Sequence, residues 1–472
     1  MKKLIPVATV CFVAMAVAIF AFLAMSTTAT AQSAQERLDD RYNRALAAGY
    51  KALFLCGAIS NAERNGVTRT AESVHEWELT GVYSAIDGIV RDLDYRIVRD
   101  TKGGVAQVEV DWTDDMPARF ATATWAEGCR LAPIGEVPNV IDSDMPGVRP
   151  KSPTIRSFRE SSRPIPALAE RLSAAFADHY GEGARTTAVI VRQGDSDFSA
   201  YAEGFDELTP QRTWSVAKSI AATLVGAAVN QGQVAVDDRP VRDEWRDDAR
   251  RHISIDHLLR MASGRYSDTP GNRTDPLYAG GSTVEEVATD WPLIYKPGST
   301  YRYANNDTLM AVKAVSDRAE FFSPSDFFAG AGMEHTVAET DWAGDYILSS
   351  QVWATAPDLA DLGELHLNDG VLPNGLRLLP EGWVDYIADP SGPQPEGTDW
   401  GYGAGWWTFR RPEGNAFAGI PDDAFAARGN RGQYVVVVPS RDVVIVRRGE
   451  DPAGKRFDIA AFTRDVLATL EK

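Results

Sequence analysis

The chain has 472 residues, 44% of them hydrophobic and 24% charged, which suits one large or two moderate hydrophobic cores and excludes a disordered chain. Its formal charge is −18 and it contains no run of Lys or Arg. Nucleic acid is therefore not expected as a partner, since phosphate neutralisation supplies most of that affinity. The six histidines make no HExxH or other ligand pair, and CxxC, Walker A, GxGxxG and GxSxG patterns are absent, so neither a metal nor an organic cofactor is expected.

Lys2 and Lys3 precede an uncharged stretch from Leu4 to Met25, and Ala29-Thr30-Ala31 follows. This is the pattern of a cleavable signal peptide over residues 1–31. The same stretch is long enough for an uncleaved membrane anchor. Either reading sends residues 32–472 out of the cytoplasm, to a periplasmic or secreted location. Of the three cysteines, Cys11 lies in the leader. That leaves Cys56 and Cys129, which an oxidising compartment favours as a disulfide over two separate buried thiols.

Residues 35–55 read as a helix, and 94–100, 105–112 and 117–125 as a short antiparallel meander. Residues 133–165 are rich in proline and read as a linker or strapped segment. The domain boundary is placed there, giving an N-terminal extension over 32–165 and a larger domain over 166–472. In the latter, 168–181 reads as a helix, 187–192 and 198–203 as strands about a Gly194-Asp195 turn, and 214–231 as an apolar helix. Between 250 and 370 the pattern is helices and loops, with helical stretches at 257–261, 308–315 and 356–368. Residues 433–438 and 443–447 form a hairpin about Pro439–Asp442, and a last helix covers 456–471. Strands, a helical middle, strands and a helix imply an α+β fold: an antiparallel sheet flanked by helices, with a helical subdomain inserted.

Three stretches carry chemistry. The 214–231 helix opens Trp214-Ser215-Val216-Ala217-Lys218, the one Ser-x-x-Lys in the chain. Residues i and i+3 share a helix face, so Ser215 would lie beside the Lys218 amine, near the positive N-terminal end of the helix. Burial lowers a lysine pKa and makes the amine a base for the serine; the competing reading is an N-cap serine beside a snorkelling lysine. The second stretch is Tyr303-Ala304-Asn305, where Tyr303 would be a phenolate or a proton relay and Asn305 would orient the lysine and a substrate carbonyl. The third is Arg428-Gly429-Asn430-Arg431-Gly432-Gln433, where Gly429 permits close backbone approach and the Asn430 N–H is a candidate oxyanion donor.

Ser-x-x-Lys, Tyr-x-Asn and a glycine-containing strand, in that order, resemble the penicillin-recognising and β-lactamase-related serine hydrolases. Leu259–Gly264, Tyr303–Asp307, Gly370–Trp383, Tyr402–Trp406 and Gly432–Asp442 are similar to the branch containing 6-aminohexanoate-dimer hydrolases and related esterases, over about residues 166–472. The resemblance implies the β-lactamase/transpeptidase-like fold and cleavage of a small-molecule amide or ester through an acyl-serine. It implies Ser215 as nucleophile, Lys218 as base, Tyr303 as proton shuttle, Asn305 in a positioning or substrate-orienting role, and the N–H groups of Ser215 and Asn430 as the oxyanion hole. One departure concerns the family's Lys-Thr-Gly strand motif. If Gly429 aligns with its glycine, Ala427 stands at the lysine and Arg428 at the threonine. The anion-binding lysine is then missing, which disfavours a β-lactamase or D-Ala-D-Ala peptidase; Arg428 or Arg431 is a candidate substitute, the competing reading being a solvated loop arginine. A catalytically silent binding protein on the same fold is the remaining alternative.

Overall fold

The computed structural model describes residues 32–124, 126–138, 165–266, 275–319 and 322–470. Residues 1–31, read above as a signal peptide or anchor, and most of the proline-rich stretch lie outside the described residues. The chain divides into two units, Met1–Asn43 and Arg44–Lys472. The described part of the first unit is chiefly the opening turns of the Ala34–Arg64 helix. The second unit holds all the described strands and all the candidate site residues.

The Val-rich runs near the C-terminus become the centre of a seven-stranded sheet. Val and Ile are stiff at χ1 and pack well on a pleated surface. The spatial order is Gly401–Tyr402, Trp407–Thr408, Phe425–Gly429, Gln433–Val438, Val443–Gly449, Thr186–Gln193, Ser196–Tyr201, every neighbouring pair antiparallel. The last strand of the chain thus sits beside the first strand of the sheet, closing 166–472 on itself. Successive side chains point to opposite faces, and both faces are covered, so the apolar run is continuous. Val435, Val437, Val444 and Val446 pack with the Val216–Asn230 helix and the helical region. Val436, Val438, Val443 and Ile445 pack with helices Pro166–Ala174 and Ile459–Leu467. The fold is α+β, with the helical region inserted between Tyr201 and Gly401.

Several elements differ from their sequence-based bounds. The 168–181 helix stops at Ala174 and resumes as a single turn at Asp178–Tyr180. The break lets Tyr180 reach Phe457 and Phe462, at ring-centroid distances of 5.5 and 5.1 Å. The helix read at 257–261 is Ile255–Leu259, started by a reciprocal Ser254–His257 cap and ended before Met261, which is left-handed at φ 57°. The N-terminal helix runs on to Arg64 rather than ending at 55. Gly57 continues it beneath Trp353, whose ring would lie 2.6 Å from any added Cβ. This helix is apolar enough to span a membrane by length and composition, but 94% of its apolar window is buried, as in a core helix.

The expected meander is a four-stranded antiparallel sheet, Tyr95–Arg99, Val105–Val110, Arg119–Thr124 and Gly128–Leu131. Its fourth strand carries Cys129, which is bonded to Cys56 of the long helix. The core around this disulfide includes Trp214, Ala279 and Trp353 from beyond residue 165, so residues 44–138 and the larger sheet share one compact unit. The disulfide spans 73 residues of sequence and, by loop entropy, contributes about 4 kcal/mol. The Cys56→Ser/Cys129→Ser double variant is expected to lose about that much in urea unfolding. A loss under about 1 kcal/mol would show that the surrounding core already confines the loop.

Candidate active site

The polypeptide enters the site from a short strand, Gln211–Arg212, paired with Val352–Ala354. The Thr213 N–H donates to Val352 O at 2.7 Å. Trp214 then takes φ 50°, a left-handed conformation that costs a bulky residue about 1–3 kcal/mol and persists only where neighbours enforce it. Its ring is buried against Tyr50, Phe54 and Tyr83, with the Arg212 guanidinium 4.4 Å from its centroid. The turn delivers Ser215 to the first position before the Val216–Asn230 helix, and its side chain caps no helix N–H. The N-cap reading of this serine is not what the structure adopts.

Lys218 follows on the same helix face and is 2% exposed. Its Nζ has three neighbours: Ser215 Oγ at 3.1 Å, Asn305 Oδ1 at 2.6 Å and Ser349 O at 2.8 Å. All three are uncharged. Burial lowers the Lys218 pKa to about 7. A neutral amine has two N–H donors and one lone pair. The amide oxygen and the carbonyl accept, and the hydroxyl of Ser215 is the one neighbour able to donate in return.

Tyr303 covers this group from the other side, with Lys218 Nζ 5.0 Å from its ring centroid. Its hydroxyl interacts with the Ser215 side chain, and burial pushes its pKa up to about 12. Asn305 opens the Asn305–Ser316 helix and is buried. The base of that helix is fixed by Asp307, which accepts from Ser263 Oγ at 2.6 Å and Arg265 Nη2 at 2.9 Å. The stretches 259–264 and 303–307 therefore meet. The Arg302 N–H donates to the carbonyl of the left-handed Met261 at 2.8 Å.

Gly429 ends its strand alongside Ser215. A Cβ added there would lie 2.5 Å from Thr213 O and 3.2 Å from Ser215 N, so this strand end approaches as only glycine permits. Ser215, Tyr303, Trp407, Arg428, Gly429 and Asn430 line one cleft of about 480 Å³. A larger cavity of about 1050 Å³, lined by Arg260, His366 and Glu381 among others, touches none of these residues; the convergent chemistry marks the smaller one. Arg428 and Arg431 separate clearly. Arg431 is buried and donates to Glu450 and to the carbonyls of Trp77, Thr80 and Gly81. Arg428 has no hydrogen bond or ion pair among the described residues. Its guanidinium lies between Trp400 and Trp407, 4.2 and 4.7 Å from their centroids, at the wall of the cleft.

Sequence reasoning missed Ser349, whose carbonyl holds the amine and whose Oγ bonds Tyr278 at 2.6 Å; a backbone acceptor leaves no mark in residue type. Nothing in the residue type announced the left-handed Trp214. Among the described residues, no group of three His, Cys, Asp or Glu is arranged to hold a metal ion.

The chain is similar to several known proteins. A 6-aminohexanoate-dimer hydrolase from Paenarthrobacter ureafaciens is 23% identical over 385 residues, covering 72% of this chain and 92% of the relative. A class C β-lactamase superposes with a TM-score of 0.51 at 13% identity, over 65% of this chain and 96% of the other. A β-lactamase/D-alanine carboxypeptidase from Pseudomonas syringae superposes with a TM-score of 0.50 at 13% identity, over 65% and 100%. These two superpositions establish the shared fold. The profile of the Beta-lactamase family matches residues 172–467, more than half of the sequence and all the residues gathered around Lys218, and the chain belongs to that family of serine hydrolases.

Proposed function

We propose that the protein cleaves an amide or ester through an acyl-enzyme on Ser215. The observation that carries this reading is the set of neighbours around Lys218: two fixed acceptors and one hydroxyl. The amine lone pair takes the Ser215 proton as Oγ bonds to the substrate carbonyl carbon. The N–H groups of Ser215 and Asn430 receive the developing oxyanion. The carbon–nitrogen or carbon–oxygen bond then breaks, and Tyr303 passes a proton to the departing atom. Its raised pKa supports a phenol relay rather than a resident phenolate. Water attacks the acyl carbonyl by the same route in reverse and frees Ser215. Asn305 and Ser349 O aim the amine throughout.

Arg428 supports a finer reading, a substrate with a carboxylate near the scissile bond. A charged guanidinium stacked between two tryptophans and lacking an anionic partner among the described residues offers its fork to the cleft. Ala427, at the position of the family's missing lysine, is fully buried and supplies nothing. A substrate with a free carboxylate fits this arrangement, and the 6-aminohexanoate-dimer hydrolase is named for a substrate built from a carboxylate; a β-lactam or a peptide terminus also carries one, and turnover separates these cases. The Cys56–Cys129 disulfide supports export across a membrane.

Hydrolysis of p-nitrophenyl butyrate is expected to show a burst in the wild-type protein and none in Ser215→Ala. Lys218 carries a proton below about pH 7 and then cannot act as a base. The rate is therefore expected to rise with pH through about 7 and level off above it. Full turnover by Ser215→Ala, or a rate that falls through this range, would remove the mechanism. Arg428→Gln is expected to lower kcat/KM for p-nitrophenyl hemisuccinate by about 10- to 100-fold, the worth of a charge-assisted hydrogen bond. It is expected to leave the neutral butyrate ester within about 3-fold, and equal effects on both esters would refute the carboxylate reading. A chromogenic cephalosporin turned over faster than either ester would favour the β-lactamase alternative.

A further inference from the structure

The segment from Tyr50 to Tyr83 takes no chemical part in the reaction just described, yet it grips the oxyanion hole at both walls. The two N–H groups assigned to that hole belong to Ser215 and Asn430. Each adjoins a bulky residue in the left-handed region: Trp214 at φ 50° precedes Ser215, and Arg431 at φ 56° follows Asn430. Non-glycine residues rarely hold this conformation, and when they do the surroundings enforce it.

For both residues, alongside Arg212 on Trp214 and Glu450 on Arg431, one and the same segment supplies surrounding contacts. The Arg431 Nη1 donates to Gly81 O at 2.9 Å, and Nη2 donates to Trp77 O at 2.7 Å and Thr80 O at 2.9 Å. Its Nε donates to the buried carboxylate of Glu450. Three carbonyls of one loop, 77–81, thus converge on one guanidinium, a pattern that only the planar fork of arginine can satisfy. The loop is seated in turn: Gly81 abuts Pro452, so that an added Cβ would lie 2.5 Å from it, and Gly81 O also accepts from the Ala453 N–H at 2.8 Å. Two residues past this loop, Tyr83 stands edge-on to Trp214 at 6.2 Å, with Phe54 at 5.7 Å and Tyr50 at 6.5 Å completing the aromatic socket.

We propose that residues 50–83 form a positioning clamp for the oxyanion hole, with Arg431 locked by the 77–81 carbonyls and Trp214 by the Tyr50–Phe54–Tyr83 socket. Arg431 is a positioning residue: it also borders the cleft, but its guanidinium is taken up by Glu450 and the 77–81 carbonyls, and it acts by setting the direction of the Asn430 N–H. The clamp rests on the acyl-serine reading, since without an oxyanion at Ser215 there is nothing for it to aim at.

The test compares the full chain with its Arg431→Lys and Arg431→Ala variants. Steady-state ester kinetics, the Kd for phenylboronic acid (which forms a tetrahedral adduct on a nucleophilic serine) and the melting temperature are measured for each. Lysine keeps a charge opposite Glu450 but cannot span three carbonyls, so it decides the matter if the alanine variant fails to fold. The expected result for a folded variant is a fall in kcat of about 100-fold, the scale of losing one oxyanion donor. KM is expected to stay within about 3-fold, and the boronate is expected to bind correspondingly more weakly. Wild-type kcat and boronate affinity in folded Arg431→Lys would overturn the clamp, as would a loss confined to KM. Ser215→Ala run alongside separates the two claims: if it turns over normally, the acyl-serine reading itself has failed, whereas a dead Ser215→Ala with fully active Arg431 variants removes the clamp alone.

Discussion

A primary amine buried among uncharged acceptors is the interaction on which the rest of this structure depends. Water would hold Lys218 as an ammonium; the interior penalises that charge and offers no carboxylate in exchange, so the pKa falls to about 7. Two acceptors use up the hydrogens of the neutral amine and leave its lone pair facing Ser215. The three groups come from three separate parts of the chain: the turn before Val216–Asn230, the start of Asn305–Ser316 and the strand approach at Ser349. Misplacing any one of them would leave the amine with the wrong number of partners.

Much of the buried polar architecture serves to hold those parts in register. Arg448 donates from the central sheet to Gln211 O and Ala354 O, the strand pair that leads into Trp214. Arg265 and Asp307 pair beneath the helix that carries Asn305. Arg447 and Asp451 pair at the strand end that faces Gly432. Buried ion pairs contribute little net stability over apolar packing, but losing one partner is costly. A single arrangement is thereby favoured over slipped ones. The disulfide-bearing N-terminal segment belongs to the same scheme, since its aromatic side chains pack on Trp214, next to Ser215, and its loop carbonyls hold Arg431, next to Asn430.

The candidate residues that the structure gathers around Lys218 were legible in the sequence because their types are rare in combination: a lone Ser-x-x-Lys at the head of an apolar helix, a Tyr-x-Asn after a turn, and a glycine at a strand end. The Val-rich hairpin and the apolar helices were legible because both sheet faces are buried and the runs are unbroken. What escaped was conformation and backbone chemistry. Met261, Trp214 and Arg431 are left-handed without glycine's permission, so local propensity points the wrong way and tertiary contacts decide. Ser349 acts through its carbonyl, which every residue possesses. The strand Phe425–Gly429 was hidden by its small and charged residues, and the two-residue strands at Gly401 and Trp407 by their length. Arg428 and Arg431 looked equivalent as neighbours in one loop; only the distribution of acceptors in space distinguishes the fork turned to the cleft from the one already bound.

The most direct measurement is intact-mass and peptide-level mass spectrometry of a reaction with a slowly deacylating ester, quenched in acid during the burst. An acyl-serine mechanism with Lys218 as base predicts one acyl group per chain, located on the peptide containing Ser215 and absent when Lys218 is replaced by methionine. An acyl group on a different residue, or turnover with no covalent adduct at any time point, would contradict it.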